Sequence, residues 1–88
     1  MILHIVGTSG VLYHGEVHKV SVPTSQGIIG ILPNHINLAT ILTTGNIVYS
    51  PVYQDKDALD SFADHTQSLT IIGGMTVVED NVVTVVVE

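Results

Sequence analysis

Pro23-Thr24-Ser25-Gln26-Gly27-Ile28-Ile29-Gly30-Ile31-Leu32-Pro33-Asn34-His35 is the stretch whose reading sets the fold. Two glycines three apart allow unusual backbone angles and close backbone approach. The isoleucines between and after them make the segment too apolar for a purely solvated loop. It reads as a glycine-punctuated strand, entered from another strand and left through a Pro-Asn-His turn.

The rest of the chain extends that reading. It holds 14 valines, 10 isoleucines and 9 threonines, so 33 of its 88 residues are branched at Cβ and favour strands over helices. Strand-like runs cover 3–8, 11–14, 16–22, 27–32, 46–53, 69–72, 75–79 and 82–87, with a further short strand around 38–42. Gly7, Gly10 and Gly15 break the runs, and Glu79-Asp80-Asn81 reads as a tight hairpin turn. Short strands between turn signals predict an all-β fold, a small antiparallel β-sandwich of about ten short strands in one domain over 1–88.

Side-chain parity adds detail. The apolar positions Tyr13 and Val17 are odd and Val20 and Val22 are even, so the apolar face switches near His18-Lys19. A bulge or a change of sheet at that point accounts for it. Pro51 places the 46–53 strand at a sheet edge. Gln54–Gln67 carries Asp55, Asp57, Asp60 and Asp64 and reads as an acidic loop insertion with at most a helical turn.

Several function classes are disfavoured by charge. Two lysines, no arginine and a net charge of −6 argue against nucleic acid, against an arginine-clamped phosphate and against an anionic membrane surface. No apolar run approaches the ~20 residues of a membrane helix. The chain has no cysteine, and its N-terminus has no signal-like basic region and apolar core. The expectation is a soluble cytoplasmic protein.

Val82-Val83-Thr84-Val85-Val86-Val87 does not alternate, and Val77-Val78, Ile71-Ile72 and Ile28-Ile29 share its excess of apolar residues. Either such strands are covered on both faces within the domain, or one face meets a partner. A domain that hides only somewhat over ~60% of its unfolded surface favours the partner.

Other constellations are weaker. His14, Glu16 and His18, at spacing two, share a strand face if no bulge intervenes and are credible zinc or iron ligands, with His35 or His4 as a fourth. A solvated polar face is the simpler reading. Asp55-Lys56-Asp57-Ala58 is similar to the lysine turn of lipoyl carrier domains, but the residues after it do not alternate. Neither a nucleophile elbow nor a P-loop is present, so catalysis is not expected.

Three motifs in order resemble the N-terminal domain of the epsilon subunit of F-type ATP synthases. They are Gly10-Val11-Leu12-Tyr13-His14-Gly15-Glu16-Val17, the Pro23–His35 stretch continued by Leu38-Ala39-Thr40, and Gly73-Gly74-Met75 with Asn81-Val82-Val83-Thr84-Val85. The resemblance implies a non-catalytic β-sandwich of the central stalk, which docks on the gamma subunit and the c-ring and couples ion translocation to ATP synthesis. It implies no cofactor and a peripheral place on the cytoplasmic face of a bacterial inner membrane. Carried over, Gly27, Ile28, Ile29, Gly30, His35, Leu38 and Thr40 are the expected partner-interface residues. Three departures stand out. The family usually continues into a two-helix C-terminal domain that can inhibit ATP hydrolysis or bind ATP, so direct ATP binding is not expected of these residues. The acidic residue common after the first glycine is Ile28 here, and the 54–67 connection is long.

Overall fold

The computed structural model describes residues 1–52 and 66–88. Eight strands fill these residues: β1 (Ile2–Gly7), β2 (Gly10–Thr24), β3 (Gly27–Ile31), β4 (Leu38–Leu42), β5 (Gly45–Pro51), β6 (Gln67–Ile71), β7 (Gly74–Glu79) and β8 (Val82–Val87). The architecture is the all-β sandwich expected, with eight described strands rather than about ten. The acidic loop, with Lys56, lies outside the described residues except at its end, where Gln67 opens β6.

The difference in strand number begins at Gly15. It does not break the chain but pairs with Leu3 inside one 15-residue strand. A glycine weakens a strand by leaving a side-chain gap. Here Tyr13 fills the gap, its hydroxyl lying 2.9 Å from where a Gly15 Cβ would sit.

β2 is long enough to serve both layers. Its first half pairs with β1, and β8, β7 and β4 continue that layer. Its second half pairs with β3 and β5, and β6 completes the second layer. The crossing falls at His18, where the register jumps from Val17 opposite Pro51 to Lys19 opposite Ser50. This is the bulge that the parity switch predicts, and it leaves Val17, Val20 and Val22 all buried. Thr24 opposite Leu42 links the layers again at the far end of β2.

Two expectations need correction. The sandwich is not wholly antiparallel, because β1 and β8 run parallel. Parallel strands need a long connection, and here the intervening chain supplies it, so no local turn signal announces the pair. The 46–53 strand is not at an edge either: β5 lies between β2 and β6. Among the described residues the β6 pairing runs no further than Tyr49, so Pro51 interrupts none of these rungs.

The core lies between the layers. Leu3, Ile5, Val83 and Val85 from the first layer face Val20, Val22, Ile31 and Ile47 from the second, and each is fully buried. Tyr13 and Tyr49 touch near the bend of β2, with ring centroids 4.5 Å apart. The β7–β8 hairpin turns through Asp80 (φ 50°) and Asn81 (φ 65°), the pair of positive angles that a two-residue turn matched to strand twist requires. Gly74 approaches β8 so closely that a Cβ there would run into the Val86 carbonyl oxygen. Beside it the Glu88 amide donates to the Gly73 carbonyl, holding the last strand against this glycine pair.

Candidate docking surface

Successive side chains of a strand point to opposite faces, and residues opposite one another on neighbouring strands share a face. The inward rows of the first layer therefore fix its outward rows. One outward row runs Ile41, Met75, Val86, Val6, Val11 across β4, β7, β8, β1 and β2. Four of these five are well exposed: Ile41 at 69%, Val11 at 61%, Val86 at 53% and Met75 at 43%. The next outward row is Ala39, Val77, Thr84, His4, His14. The third, Glu79, Val82, Ile2, Glu16, has a carboxylate at each end. The first two rows contain no Asp, Glu, Lys or Arg.

The double-valine pattern resolves in the same way. Val83, Val85 and Val87 point inward and are buried, while Val82 and Val86 stay exposed on a strand that is central in its layer. Ile71-Ile72 and Ile28-Ile29 also split, with Ile71 buried and Ile29 packed on the core, against Ile72 70% and Ile28 77% exposed.

The outer side of the second layer differs. It carries Asn46, Val48 and Ser50 on β5 beside Ser68 and Thr70 on β6. The Thr70 hydroxyl donates to Asn46 Oδ1 at 2.8 Å, and the Ser50 and Thr66 hydroxyls lie 3.2 Å apart.

The seven interface residues expected from the sequence fall in several places. Gly27, Ile28 and Gly30 sit exposed on β3, at and just after the β2–β3 hairpin, which Thr24 closes by donating to the Gly27 carbonyl at 2.7 Å. Gly27 has φ 112°, so the glycine is required there; Gly30 has no such angle, and a Cβ on it would meet only Lys19 Cε at 3.7 Å. A shallow groove beside the hairpin is lined by Pro23, Ile28, Thr44 and Val48. Ile29 and Leu38 pack on the core, and Thr40 shares Leu38's inward side of β4.

His35 is at the opposite end of the sandwich from Gly27, half-buried in the loop between β3 and β4. Its amide donates to the Leu32 carbonyl at 3.1 Å, and its Nδ1 lies 2.8 Å from the Ile36 carbonyl oxygen. The loop is tied to the β7–β8 turn: the Asn34 amide donates to Asn81 Oδ1 and the Asp80 amide to Asn37 Oδ1.

Sequence reasoning missed Ile41, Met75, Val6 and Val11. Parity within each strand would have separated Ile41 from Leu38 and Thr40. The row itself needed the β1–β8 register.

The alternative metal set does not assemble. Among the described residues no three His, Cys, Asp or Glu side chains lie close enough to hold an ion. The bulge at His18 breaks the alternation that would have kept it in line with His14 and Glu16. His14 instead meets His4 across the strands, with centroids 4.9 Å apart and rings near perpendicular at 81°.

The sequence pattern of the family described as ATP synthase, Delta/Epsilon chain, beta-sandwich domain matches residues 1–88. The chain belongs to this family. The ATP synthase epsilon chain of Endomicrobium trichonymphae is 33% identical over 86 residues, covering 98% of this chain and 54% of the relative. That of Aquifex aeolicus is 44% identical over 48 residues, covering 54% of this chain and 36% of the relative. The chain thus spans about half the length, or less, of these epsilon relatives. Two solved assemblies contain a chain of the same fold. One is the central stalk and c-ring of the Tetrahymena thermophila mitochondrial ATP synthase (TM-score 0.76, 14% identity, 99% of this chain and 62% of that one). The other is the OSCP/F1/c-ring assembly of the Euglena gracilis mitochondrial ATP synthase (TM-score 0.79, 20% identity, 99% and 49%). The epsilon resemblance and the β-sandwich expectation therefore stand.

Proposed function

We propose that this chain is a non-catalytic rotor subunit of an F-type ATP synthase, seated in the central stalk on the gamma subunit and the c-ring, where it helps couple ion translocation to ATP synthesis. The observation that carries the reading is the apolar row Ile41–Met75–Val86–Val6–Val11 on the outside of the first layer of an epsilon-family sandwich. Contiguous exposed apolar surface on a small domain marks a partner site, and this face is assigned to gamma.

The β2–β3 hairpin, with Gly27 and the 77%-exposed Ile28, is assigned to the c-ring. Ile28 makes that contact apolar. His35, at the other end, is a loop-ordering residue in this scheme. A close-packed sandwich suits torque transmission, because protein interiors have low compressibility. The assembly places the chain peripherally at the membrane that holds the ring, on the cytoplasmic face in a bacterium.

Co-purification with the native gamma subunit and c-ring tests the proposal, with gel filtration of the chain alone as control. A stoichiometric complex with gamma is expected. A chain that runs as a clean monomer and ignores gamma would overturn the reading.

A further inference from the structure

We propose that the His4–His14 pair makes docking on the first-layer face proton-dependent, so that the central-stalk partner binds when both imidazoles are neutral and is released as they take up protons. This rests on the docking reading above and specifies how that surface is regulated.

The two rings lie in the middle one of the three outward rows. They end the second row, one step from the apolar row and one step from the carboxylate-bounded row. They touch edge to face at 4.9 Å, so each lies within the other's electrostatic reach. His4 Nε2 is buried and has no hydrogen-bond partner, while His14 is exposed at the rim. A partner that covers the apolar row and the row beside it covers this pair.

Imidazole is the side chain whose charge ordinarily changes between pH 5 and 8. Burying a charged ring against apolar surface is costly unless it is paired, and a second charge on the adjacent ring adds repulsion. Among the described residues few groups are placed to offset this. β8 offers Thr84 beside His4, β7 offers Val77 in the same row, and β4 offers Ala39. On β2 the nearest carboxylate is Glu16, one outward row away, and Glu79 on β7 lies at the far end of that third row. The Met1 amino group begins β1 below Ile2. His18 lies at the bulge, and Lys19 reaches over Gly30 in the second layer. The third row therefore suits a cationic group on the partner, while the first two rows suit an uncharged apolar surface.

The test is the affinity of the full chain for purified gamma subunit at pH 7.5 and 5.5, for wild type and for the double variant His4→Gln/His14→Gln. Wild type is expected to bind roughly tenfold more weakly at the lower pH for each proton that docking must expel. The double variant should show a clearly flatter dependence. His14→Gln alone, at an exposed position, is the second variant should the double one misfold, and it should remove part of the dependence. Wild-type affinity that is unchanged or tighter at pH 5.5, or a dependence identical in the variants, overturns this inference while leaving the docking reading standing. No binding at either pH overturns both.

Discussion

The outer side of the first layer aligns Ile41, Met75, Val86, Val6 and Val11 in one row, whereas the outer side of the second carries Asn46, Ser50, Ser68 and Thr70. Both layers are built from β-branched strands around one core, so strand formation does not explain the contrast. On the second face amide and hydroxyl groups bond to one another, Thr70 to Asn46 and Ser50 with Thr66, and its apolar surface is confined to Val48 and the exposed Ile28 near the β2–β3 hairpin. On the first face large apolar side chains reach water with little polar relief beyond Thr84 and the two histidines. Two faces built from the same kinds of strand thus differ in surface, one lined mostly by amides and hydroxyls and one by exposed apolar side chains.

The largest expected effect strikes the frame that both faces share. Gly74→Ala drives a Cβ into the Val86 carbonyl oxygen at φ 154°. It should cost about 2–4 kcal/mol, visible as a lowered thermal midpoint and an early loss of β-sheet circular dichroism. An unchanged midpoint would show that β7 and β8 are not held so closely.

Next comes a charge on the apolar row. Val86→Glu should reduce affinity for gamma roughly 30-fold or more, the scale of an interface residue worth about 2 kcal/mol. The chain itself should lose no more than about 1 kcal/mol, because the site is exposed. Retained affinity would mean that gamma uses another surface.

Thr76 sharpens the contrast from inside. It is fully buried and its Oγ1 has no partner, although a hydroxyl taken from water needs one. Thr76→Val should raise stability by about 1 kcal/mol in denaturant unfolding and leave both outer faces, and gamma binding, unchanged. A destabilised variant would place a hydrogen-bonding water at that hydroxyl.

The smallest effect is expected on the second face. Thr70→Lys, on the edge strand β6, should change gamma affinity less than about twofold. A loss comparable to that of Val86→Glu would erase the distinction between the faces. Moderate salt should also raise the melting temperature slightly by screening the net charge of −6. A fall with salt would show that attractive ion pairs outweigh the repulsion.

Much of the fold was legible because it is locally coded. The change of parity between Val17 and Val20 announced the bulge at His18, and Asp80-Asn81 announced the hairpin. Gly15 misled because a strand glycine covered by Tyr13 reads locally like a break. Gly30 misled likewise: Gly27 alone of that pair needs a positive φ. The parallel β1–β8 pair, joining the two ends of the chain, has no local signature. The exposed apolar row was only half legible for the same reason. Val82–Val87 signalled an excess of apolar surface, but joining Val86 to Val6 and Val11 required that pairing. The expected residues Leu38 and Thr40 lie one position from the exposed Ala39 and Ile41, and in a strand one position is the difference between inside and outside.

Hydroxyl-radical footprinting of the chain, free and in complex with gamma, tests the central claim most directly. Met75 is oxidised readily and lies between Ile41 and Val86 in the apolar row, while Ile28 stands more open still on the other layer. The account predicts strong protection of Met75, Ile41 and Val86 on binding gamma, with Ile28 and Val48 still labelled. Protection of Ile28 and Val48 with Met75 left reactive would contradict it and move the gamma interface to the second layer.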